Sequence, residues 1–245
     1  MSTVPAEYYE HARTELLRQF SGPPRRLLDV GCGAGATSAA AKARWPGLET
    51  IGIELVAEIA ERARTVLDRV VQGSVETLDF AAAGIAEVDG VLLGDVLEHM
   101  VDPWAFLRRL RSALAPEATV VASIPNIANL WVIEQLAVGR FQYEPSGLLD
   151  RTHLRFFTHA SIEELFGQSG YRIARWDRVV DGRVDDLTSR RIFGVALPRL
   201  IGGRLRGRRV RISGIGRQAY EDLRTFQYLV VAHPAGSPHS EAAGT

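Results

Sequence analysis

Three things are scarce in this sequence, and each scarcity excludes a class of protein. Cys32 is the single cysteine in 245 residues, which excludes an intrachain disulfide framework and a zinc site built from several cysteines. No stretch reaches the roughly 18 apolar residues that a membrane span requires. The formal net charge is zero, because 29 Lys and Arg balance 29 Asp and Glu. This argues against a nucleic-acid-binding protein. The first twenty residues carry Glu7, Glu10 and Arg13 where a signal peptide has an apolar core, so we expect a cytoplasmic protein.

Short apolar runs alternate along the chain with segments that have the spacing of amphipathic helices. The predicted strands cover residues 26–30, 49–54, 69–72, 88–93, 119–124, 172–180 and 226–233. The predicted helices cover residues 7–20, 36–45, 57–67, 104–114 and 161–169. This alternation is typical of α/β proteins, and no clear crossover helix lies before the last strand. We therefore expect a Rossmann-like, seven-stranded, mostly parallel sheet with the last strand antiparallel and helices on both faces.

Two long segments interrupt this repeat. We expect a single domain over residues 1–233, with an N-terminal helical lid at 1–24, an acceptor-binding segment at 125–159 and an insertion at 181–222, followed by a disordered tail at 234–245. Between residues 181 and 217 the insertion holds ten arginines and three aspartates, a local charge of +7. Such a segment suits a phosphorylated acceptor or a peripheral contact with an anionic membrane.

A glycine-rich loop follows the first predicted strand. Gly31, Gly33 and Ala36 satisfy the dinucleotide pattern G-x-G-x-x-A, and Glu54 lies where a ribose-binding carboxylate belongs. Asp29 decides against a dinucleotide, because a carboxylate just before the loop repels a pyrophosphate. S-adenosylmethionine has no phosphate, and its ammonium and sulfonium groups are stabilised by a carboxylate. The alternative is that Asp29 merely caps the following turn.

The motifs resemble the class I S-adenosylmethionine-dependent methyltransferases. The resemblance rests on residues 28–35 (LDVGCGAG), on Ile53-Glu54, and on residues 95–99 (DVLEH) with Asp102-Pro103, and it spans about residues 26–170. It implies the cofactor S-adenosylmethionine, with Glu54 holding both ribose hydroxyls. The full cofactor-binding set that it implies is Asp29, Gly31, Cys32, Gly33, Glu54, Leu55, Gly73, Ser74, Val75, Gly94 and Asp95. One departure is Ser74, where relatives often have an acidic residue that accepts from the adenine amino group.

His153 is the candidate general base for the acceptor. It lies in a stretch of polar residues between aromatics, residues 147–158, in the acceptor-binding segment. A hydroxyl acceptor needs its proton removed, and an imidazole is suited to that at neutral pH. The alternative is that His153 hydrogen-bonds a neighbouring loop and only shapes the pocket.

Asp95, Glu98 and His99 form a second candidate group, because spacings of three and four residues place them on one face of a helical turn. With Thr152-His153 they resemble the ubiquinone-type O-methyltransferases and the small-RNA 2′-O-methyltransferases, in which an acid, a Glu-His pair and a distant histidine hold a metal. The resemblance thus implies a divalent metal on Asp95, Glu98, His99 and His153. The same Glu-His pair also supports the cofactor pocket in relatives without metal, and we expect His153 to act without one.

These observations favour an S-adenosylmethionine-dependent O-methyltransferase. Residues 147–158 resemble methyltransferases encoded among bacterial surface-polysaccharide and secondary-metabolite enzymes, which implies a small-molecule acceptor such as a sugar, a glycosylated compound or a secondary metabolite. The alternatives are an N-methyltransferase, an RNA 2′-O-methyltransferase, which the arginine-rich insertion keeps open, and a cofactor-binding module without catalysis.

Overall fold

The predicted seven-stranded sheet is present. The computed structural model describes residues 11–180, 200–205, 208–213 and 217–236. The sheet has the order β3-β2-β1-β4-β5-β9-β6, and β9 pairs antiparallel with both neighbours. Its strands are β1 (Arg26–Val30), β2 (Glu49–Glu54), β3 (Arg69–Gln72), β4 (Val88–Gly94), β5 (Leu114–Pro125), β6 (Tyr171–Val180) and β9 (Thr225–Pro234). The fold class is therefore confirmed.

One helix precedes β1, and five more lie between the strands of this sheet. They are α1 (Thr14–Leu17), α2 (Ala36–Arg44), α3 (Ala57–Ala63), α4 (Pro103–Leu110), α5 (Leu130–Ala137) and α6 (His159–Gln168). Helix α4 shows why the sequence folds this way, since the Asp102 side chain accepts from the Ala105 N–H at 2.9 Å and Pro103 occupies the first turn. None of the helices in the described residues is both long enough and apolar enough to cross a bilayer.

The core lies on both faces of the central strands. Leu27 and Leu28 of β1 are fully buried on opposite faces, in two separate hydrophobic clusters. Strands β1, β2, β3, β4 and β5 run parallel, so their carboxyl ends meet at one edge of the sheet. In folds of this kind ligands bind at that edge, and the predicted cofactor residues lie at the ends of β1, β2 and β4 or in the loops after β1, β2, β3 and β4.

The N-terminal helix is shorter than predicted. Of residues 7–20, residues 7–10 lie outside the described part, and helix forms only over Thr14–Leu17. The cause is tertiary, because Arg13 leaves helical geometry and its N–H donates to the Thr37 hydroxyl at 3.1 Å. Helix α3 also ends early, at Ala63, and the chain continues through turns to Leu67.

Four elements were not predicted from the sequence. One is α5, inside the segment at 125–159, where Asn129 caps the helix by accepting from the Trp131 N–H at 2.9 Å. The other three fall between β6 and β9: a hairpin of β7 (Leu200–Leu205) and β8 (Arg208–Ser213), and a helix α7 (Arg217–Arg224). Residues 181–199 of the insertion and residues 237–245 of the predicted tail lie outside the described residues, while Pro234 belongs to β9 and not to the tail.

Candidate active site

The glycine loop after β1 has the backbone shape that its sequence predicts. Gly31, Gly33 and Gly35 have φ values of 67°, 55° and 90°, a left-handed region that costs a side chain energy. The loop also lies close to β2, since a Cβ on Gly52 would stand 2.6 Å from the Cys32 Sγ. These glycines therefore let the loop lie directly against the sheet.

Four N–H groups of this loop already have partners within the protein. Those of Gly31 and Cys32 donate to the Ile53 carbonyl at 2.8 and 3.1 Å, and that of Gly35 donates to the Cys32 carbonyl at 2.9 Å. The Gly33 N–H donates to Glu54 Oε2 at 3.0 Å. A pyrophosphate is normally cradled by free loop N–H groups, so this arrangement favours a ligand without phosphate.

Glu54 is a fixed and almost buried carboxylate at the end of β2. Besides the Gly33 contact, its Oε1 accepts from the Val56 N–H at 2.8 Å. The whole residue is 6% exposed. Each carboxylate oxygen has two lone pairs, so one remains on each oxygen. Glu54 can therefore accept from two neighbouring hydroxyls, as a ribose would present them.

Asp29 lies beneath the loop and not in it. Its Oδ2 accepts from the Ser38 hydroxyl at 2.7 Å, which ties β1 to the first turn of α2. Burial raises the pKa of Asp29 to about 6, with a hydrogen bond from Ser38 lowering it and the Glu54 charge raising it. The residue thus has a clear structural contact, and a cation nearby would favour its ionised form.

An open surface beside Glu54 is lined by four predicted cofactor residues, Leu55, Gly73, Ser74 and Val75. The last three are those that the resemblance implies beside the adenine. Leu55 is 63% exposed, and a Cβ on Gly73 would meet nothing within 4 Å. Ser74 and Val75 form a tight turn, in which the Ser74 carbonyl accepts from the Leu78 N–H at 3.1 Å. An apolar side chain next to open space is suited to the face of a planar base.

Asp95 closes the site on its other side and is held by residues that the sequence did not indicate. It has a positive φ of 54°, which costs energy in a residue with a side chain. Its carboxylate accepts from the Arg13 guanidinium, from the Gln227 amide and from the Ser123 hydroxyl. Arg13 also donates to Gln227 at 2.9 Å, so the residue before α1, the loop after β4 and strand β9 meet at one carboxylate.

Two close contacts pack the end of β4 and the loop after it against the glycine loop and against α1. A Cβ on Gly31 would lie 3.1 Å from a Val96 methyl group, and a Cβ on Gly94 would lie 3.1 Å from Leu16 in α1. The predicted cofactor residues after β1, β2 and β4 therefore surround one region at the carboxyl edge of the sheet.

Next to Asp95, the structure brings together three of the four predicted metal-ligand candidates. One ligand atom each from Glu98, His99 and His153 lies within 4.8 Å of the others, whereas Asp95 is held in the Arg13 network instead. Backbone hydrogen bonds hold the chain around His153 next to Glu98, since the N–H groups of Leu154 and Arg155 donate to the Glu98 carbonyl at 2.8 and 2.9 Å. The segment at 125–159 is thereby fixed over the short 3₁₀ turn Leu97–His99.

The electrostatics of this cluster are unusual. Glu98 is 1% exposed, and neither carboxylate oxygen has a hydrogen-bond partner among the described residues. Burial raises its pKa to about 8, while the residue's own backbone N–H and the Arg13 charge act in the other direction. Burial and the neighbouring His99 lower the pKa of His153, although Asp150 and a backbone hydrogen bond with Leu148 act in the other direction. Both shifts favour the uncharged form of the side chain, which is the protonated carboxyl for Glu98 and the unprotonated imidazole for His153.

His99 is oriented by Thr152 of the segment at 125–159. Its Nδ1 lies 3.2 Å from both the carbonyl and the hydroxyl oxygen of Thr152. The carbonyl can only accept, and the hydroxyl already donates to Asp150 at 2.7 Å, so the proton of His99 belongs on Nδ1. Its Nε2 then keeps a lone pair for a proton or a metal.

The sequence is similar to those of known methyltransferases. The sequence model of a family described as "methyltransferase domain" matches residues 6–175. Over 111 residues the chain is 39% identical to a ubiquinone biosynthesis O-methyltransferase of Xanthomonas campestris, covering 42% of this chain and 44% of that protein. Over 109 residues it is 32% identical to a trans-aconitate 2-methyltransferase of Methylobacterium radiotolerans, covering 42% and 39%. The chain thus spans less than half the length of these two relatives.

The solved structures agree on the fold. A S-adenosylmethionine-dependent methyltransferase from Archaeoglobus fulgidus superposes with a TM-score of 0.59 at 16% identity, over 94% of each chain. At this identity the likeness concerns the fold alone.

Proposed function

This chain belongs to the methyltransferase-domain family of class I S-adenosylmethionine-dependent methyltransferases, and we propose that within it the chain is an O-methyltransferase. The acceptor is a hydroxyl of a small molecule: a sugar, a glycosylated compound or another secondary metabolite. The observation that carries the proposal is the position of His153. This unprotonated base is held beside the loop after β4 by the backbone bonds to Glu98.

Each group at the carboxyl edge has a distinct part in this reaction. The bound cofactor would supply a methyl group attached to a sulfonium, whose sulfur would become a neutral thioether as the methyl group passed to the acceptor oxygen. Glu54 would accept from the ribose hydroxyls, and the resemblance implies that Asp95, which Arg13 contacts, lies beside the methionine part. His153 takes the acceptor proton, and the enzyme's contribution is otherwise positioning.

A metal-assisted form of the same reaction is the second candidate, and the unpartnered Glu98 carboxylate favours it. A buried carboxylate without a partner is costly, and a divalent cation would stabilise its charge. One carboxylate and two imidazoles suit Mn²⁺, Fe²⁺ or Zn²⁺, and such an ion lowers the pKa of a bound hydroxyl. Glu98, His99 and His153 would hold it, while Asp95 already has three partners.

The other functions are distinguished by the product. An N-methyltransferase needs no base at His153, and an RNA 2′-O-methyltransferase would need the arginine-rich insertion. The direct test incubates an extract of the source cell with the enzyme and cofactor carrying a deuterated methyl group, followed by mass spectrometry. A deuterated methyl ether supports the proposal, whereas a methylated amine or RNA end contradicts it, and no labelled product would indicate a binding module.

We expect adenosyl ligands, and not nicotinamide dinucleotides, to stabilise the protein. At one hundred times Kd a ligand adds about 2.7 kcal/mol to the free energy of unfolding, so the melting temperature should rise by several degrees with S-adenosylmethionine or its demethylated product. NAD should have no effect, because the N–H groups of Gly31, Cys32, Gly33 and Gly35 are already used. Stabilisation by NAD alone would overturn the cofactor assignment.

Replacing Glu54 by Ala should weaken cofactor binding by about 1–3 kcal/mol, because buried ribose hydroxyls would be left without an acceptor. The change also removes the acceptor for the Gly33 N–H, so calorimetric Kd values must be compared at matched temperatures below both melting points. Glu58→Ala is the control, since Glu58 is exposed on the first turn of α3. Equal Kd values for both variants would remove Glu54 from the site.

The arginine-rich insertion is expected to bind an anion, on the acceptor or on a lipid surface. Between residues 181 and 217 the sequence holds ten arginines against three aspartates, and this excess of positive charge would be stabilised by an anion. Neutralising Arg204, Arg206, Arg208 and Arg209 together with Gln should weaken binding to a phosphorylated acceptor or to vesicles of anionic lipid, and should flatten the salt dependence. If neither binding changes, the insertion is a solvated cap.

A further inference from the structure

A row of aromatic rings begins at the candidate base and ends in solvent. The His153 ring centroid lies 6.2 Å from that of Phe156, which lies 5.6 Å from that of Phe141. The next ring is Tyr143, at 5.5 Å from Phe141. These rings meet edge to face, at interplanar angles of 69° to 90°.

Exposure rises along the row. His153 is 8% exposed, Phe141 is 39% exposed and Tyr143 is 56% exposed. Exposed aromatic surface costs free energy in water, and contiguous apolar surface of this kind marks ligand sites. Two aliphatic side chains in the same stretch of chain, Leu136 and Leu154, are also half exposed.

The row is held by a backbone scaffold. The Glu144 N–H donates to the Leu149 carbonyl at 2.8 Å, and the Arg140 N–H donates to the Gln135 carbonyl at the end of α5, also at 2.8 Å. Phe156 packs against the buried cluster that contains Leu149. The outer rings are therefore presented by a supported loop, which reduces the entropy lost when a ligand binds.

We propose that Phe156, Phe141 and Tyr143 bind a planar, apolar ring system of the acceptor, of two or more fused or linked rings, whose hydroxyl lies at His153. The proposal rests on the proposed O-methyl transfer and narrows its acceptor from a secondary metabolite in general to an extended aryl compound. The rings extend from His153 toward solvent without a break, so an acceptor with its hydroxyl at His153 would lie along them. Edge-to-face packing within the row leaves ring faces available to a planar ligand. A one-ring acceptor would reach only the inner part of the row.

The test measures binding separately from turnover. Calorimetry with 2-naphthol and with naphthalene-2-sulfonate, in the presence of the demethylated cofactor product, gives Kd values for wild type, Tyr143→Ala, Tyr143→Phe, Phe141→Ala and Val101→Ala. We expect about three- to tenfold weaker binding for each ring removed, which is the range of an aromatic pair. Tyr143→Phe should bind as wild type does, because the ring is kept. Val101→Ala should do the same, since Val101 is an exposed apolar residue outside the row.

The outcomes separate the two proposals. Naphthalene-2-sulfonate has no hydroxyl to methylate, so ring-dependent binding supports the aromatic site even if the transferred methyl goes to nitrogen. Equal Kd values for Tyr143→Ala and Tyr143→Phe, or tighter binding of methyl glucoside than of 2-naphthol, would overturn it. Loss of O-methylated product with ring-dependent binding retained would overturn only the proposed function. Tyr143 is more than half exposed, so its variants should fold even if Phe141→Ala does not.

Discussion

The His153→Ala enzyme should lose methyl transfer by roughly 100- to 10,000-fold, the usual loss when a general base is removed. The lowered pKa of His153 adds a pH signature. Since the base acts in its unprotonated form, the rate should rise with pH and reach its plateau below the ordinary imidazole value of about 6.5. Single-turnover rates from pH 5 to 8 at saturating acceptor measure both effects, and cofactor Kd values show that the binding site is intact.

The same variants decide whether a metal takes part. Without a metal, activity persists in chelator, and Glu98→Ala or His99→Ala is milder than His153→Ala. With a metal, chelator abolishes turnover, a divalent cation restores it, and the three variants are equally damaged because losing one ligand weakens the whole site. Full activity in His153→Ala at saturating acceptor would contradict both mechanisms and indicate an acceptor that needs no base.

The sheet could be predicted from the sequence because its signals are local. Arg26–Val30, Glu49–Glu54 and Arg69–Gln72 are observed with the predicted bounds, since each run is closed by glycine or by charged residues. Strand β5 begins at Leu114 and not at residue 119, because Leu114 pairs with Val88 across an irregularity in the ladder. Pairing with a distant strand leaves no trace in the hydrophobic pattern of a short segment.

The same reasoning explains what could be found of the site. The glycine loop and Glu54 could be predicted, because the spacing of the glycines and of the carboxylate along the sequence indicates a loop after β1 and an acid at the end of β2. Arg13 and Gln227 were not, although they meet at Asp95, because they are 214 positions apart and only the sheet order brings them together. The one available signal was Gln227 itself, a polar residue directly before the apolar run at 228–232 of β9.

Helix prediction failed where tertiary contacts decide the backbone. The pattern of residues 7–20 favours a helix, but Arg13 is drawn to Thr37 and Asp95 and interrupts it. Helix α7 was not predicted, because only Ala219, Tyr220 and Leu223 of its eight residues are apolar and it lies in a segment interpreted as an insertion. Leu223 of α7 packs on Leu130 of α5. This contact joins the end of the insertion to the segment at 125–159.

The free energy of unfolding should fall as pH rises from about 4.5 to about 8, and Glu98 should cause much of that fall. The pKa of Glu98 is raised from 4.5 unfolded to about 8 folded, so the folded state holds a proton that the unfolded state has already released. Stability from this group is therefore full below pH 4.5 and lost as pH approaches 8. At about 1.4 kcal/mol per pKa unit the loss amounts to a few kcal/mol.

Glu98→Gln should remove this pH dependence. The variant should match wild type near pH 5 and exceed it in stability near pH 9, where the wild-type carboxylate is buried with its charge unpaired. Denaturant unfolding at both pH values measures the difference. Asp29 has the same sign of shift but is present in both proteins, so its effect cancels, and Glu58→Gln is the exposed control. Adding Mn²⁺ at pH 8 should stabilise wild type but not Glu98→Gln if the cluster binds a metal. Parallel pH curves for wild type and Glu98→Gln would show that the carboxylate has a partner in solution, and the electrostatic argument for the cluster would fail.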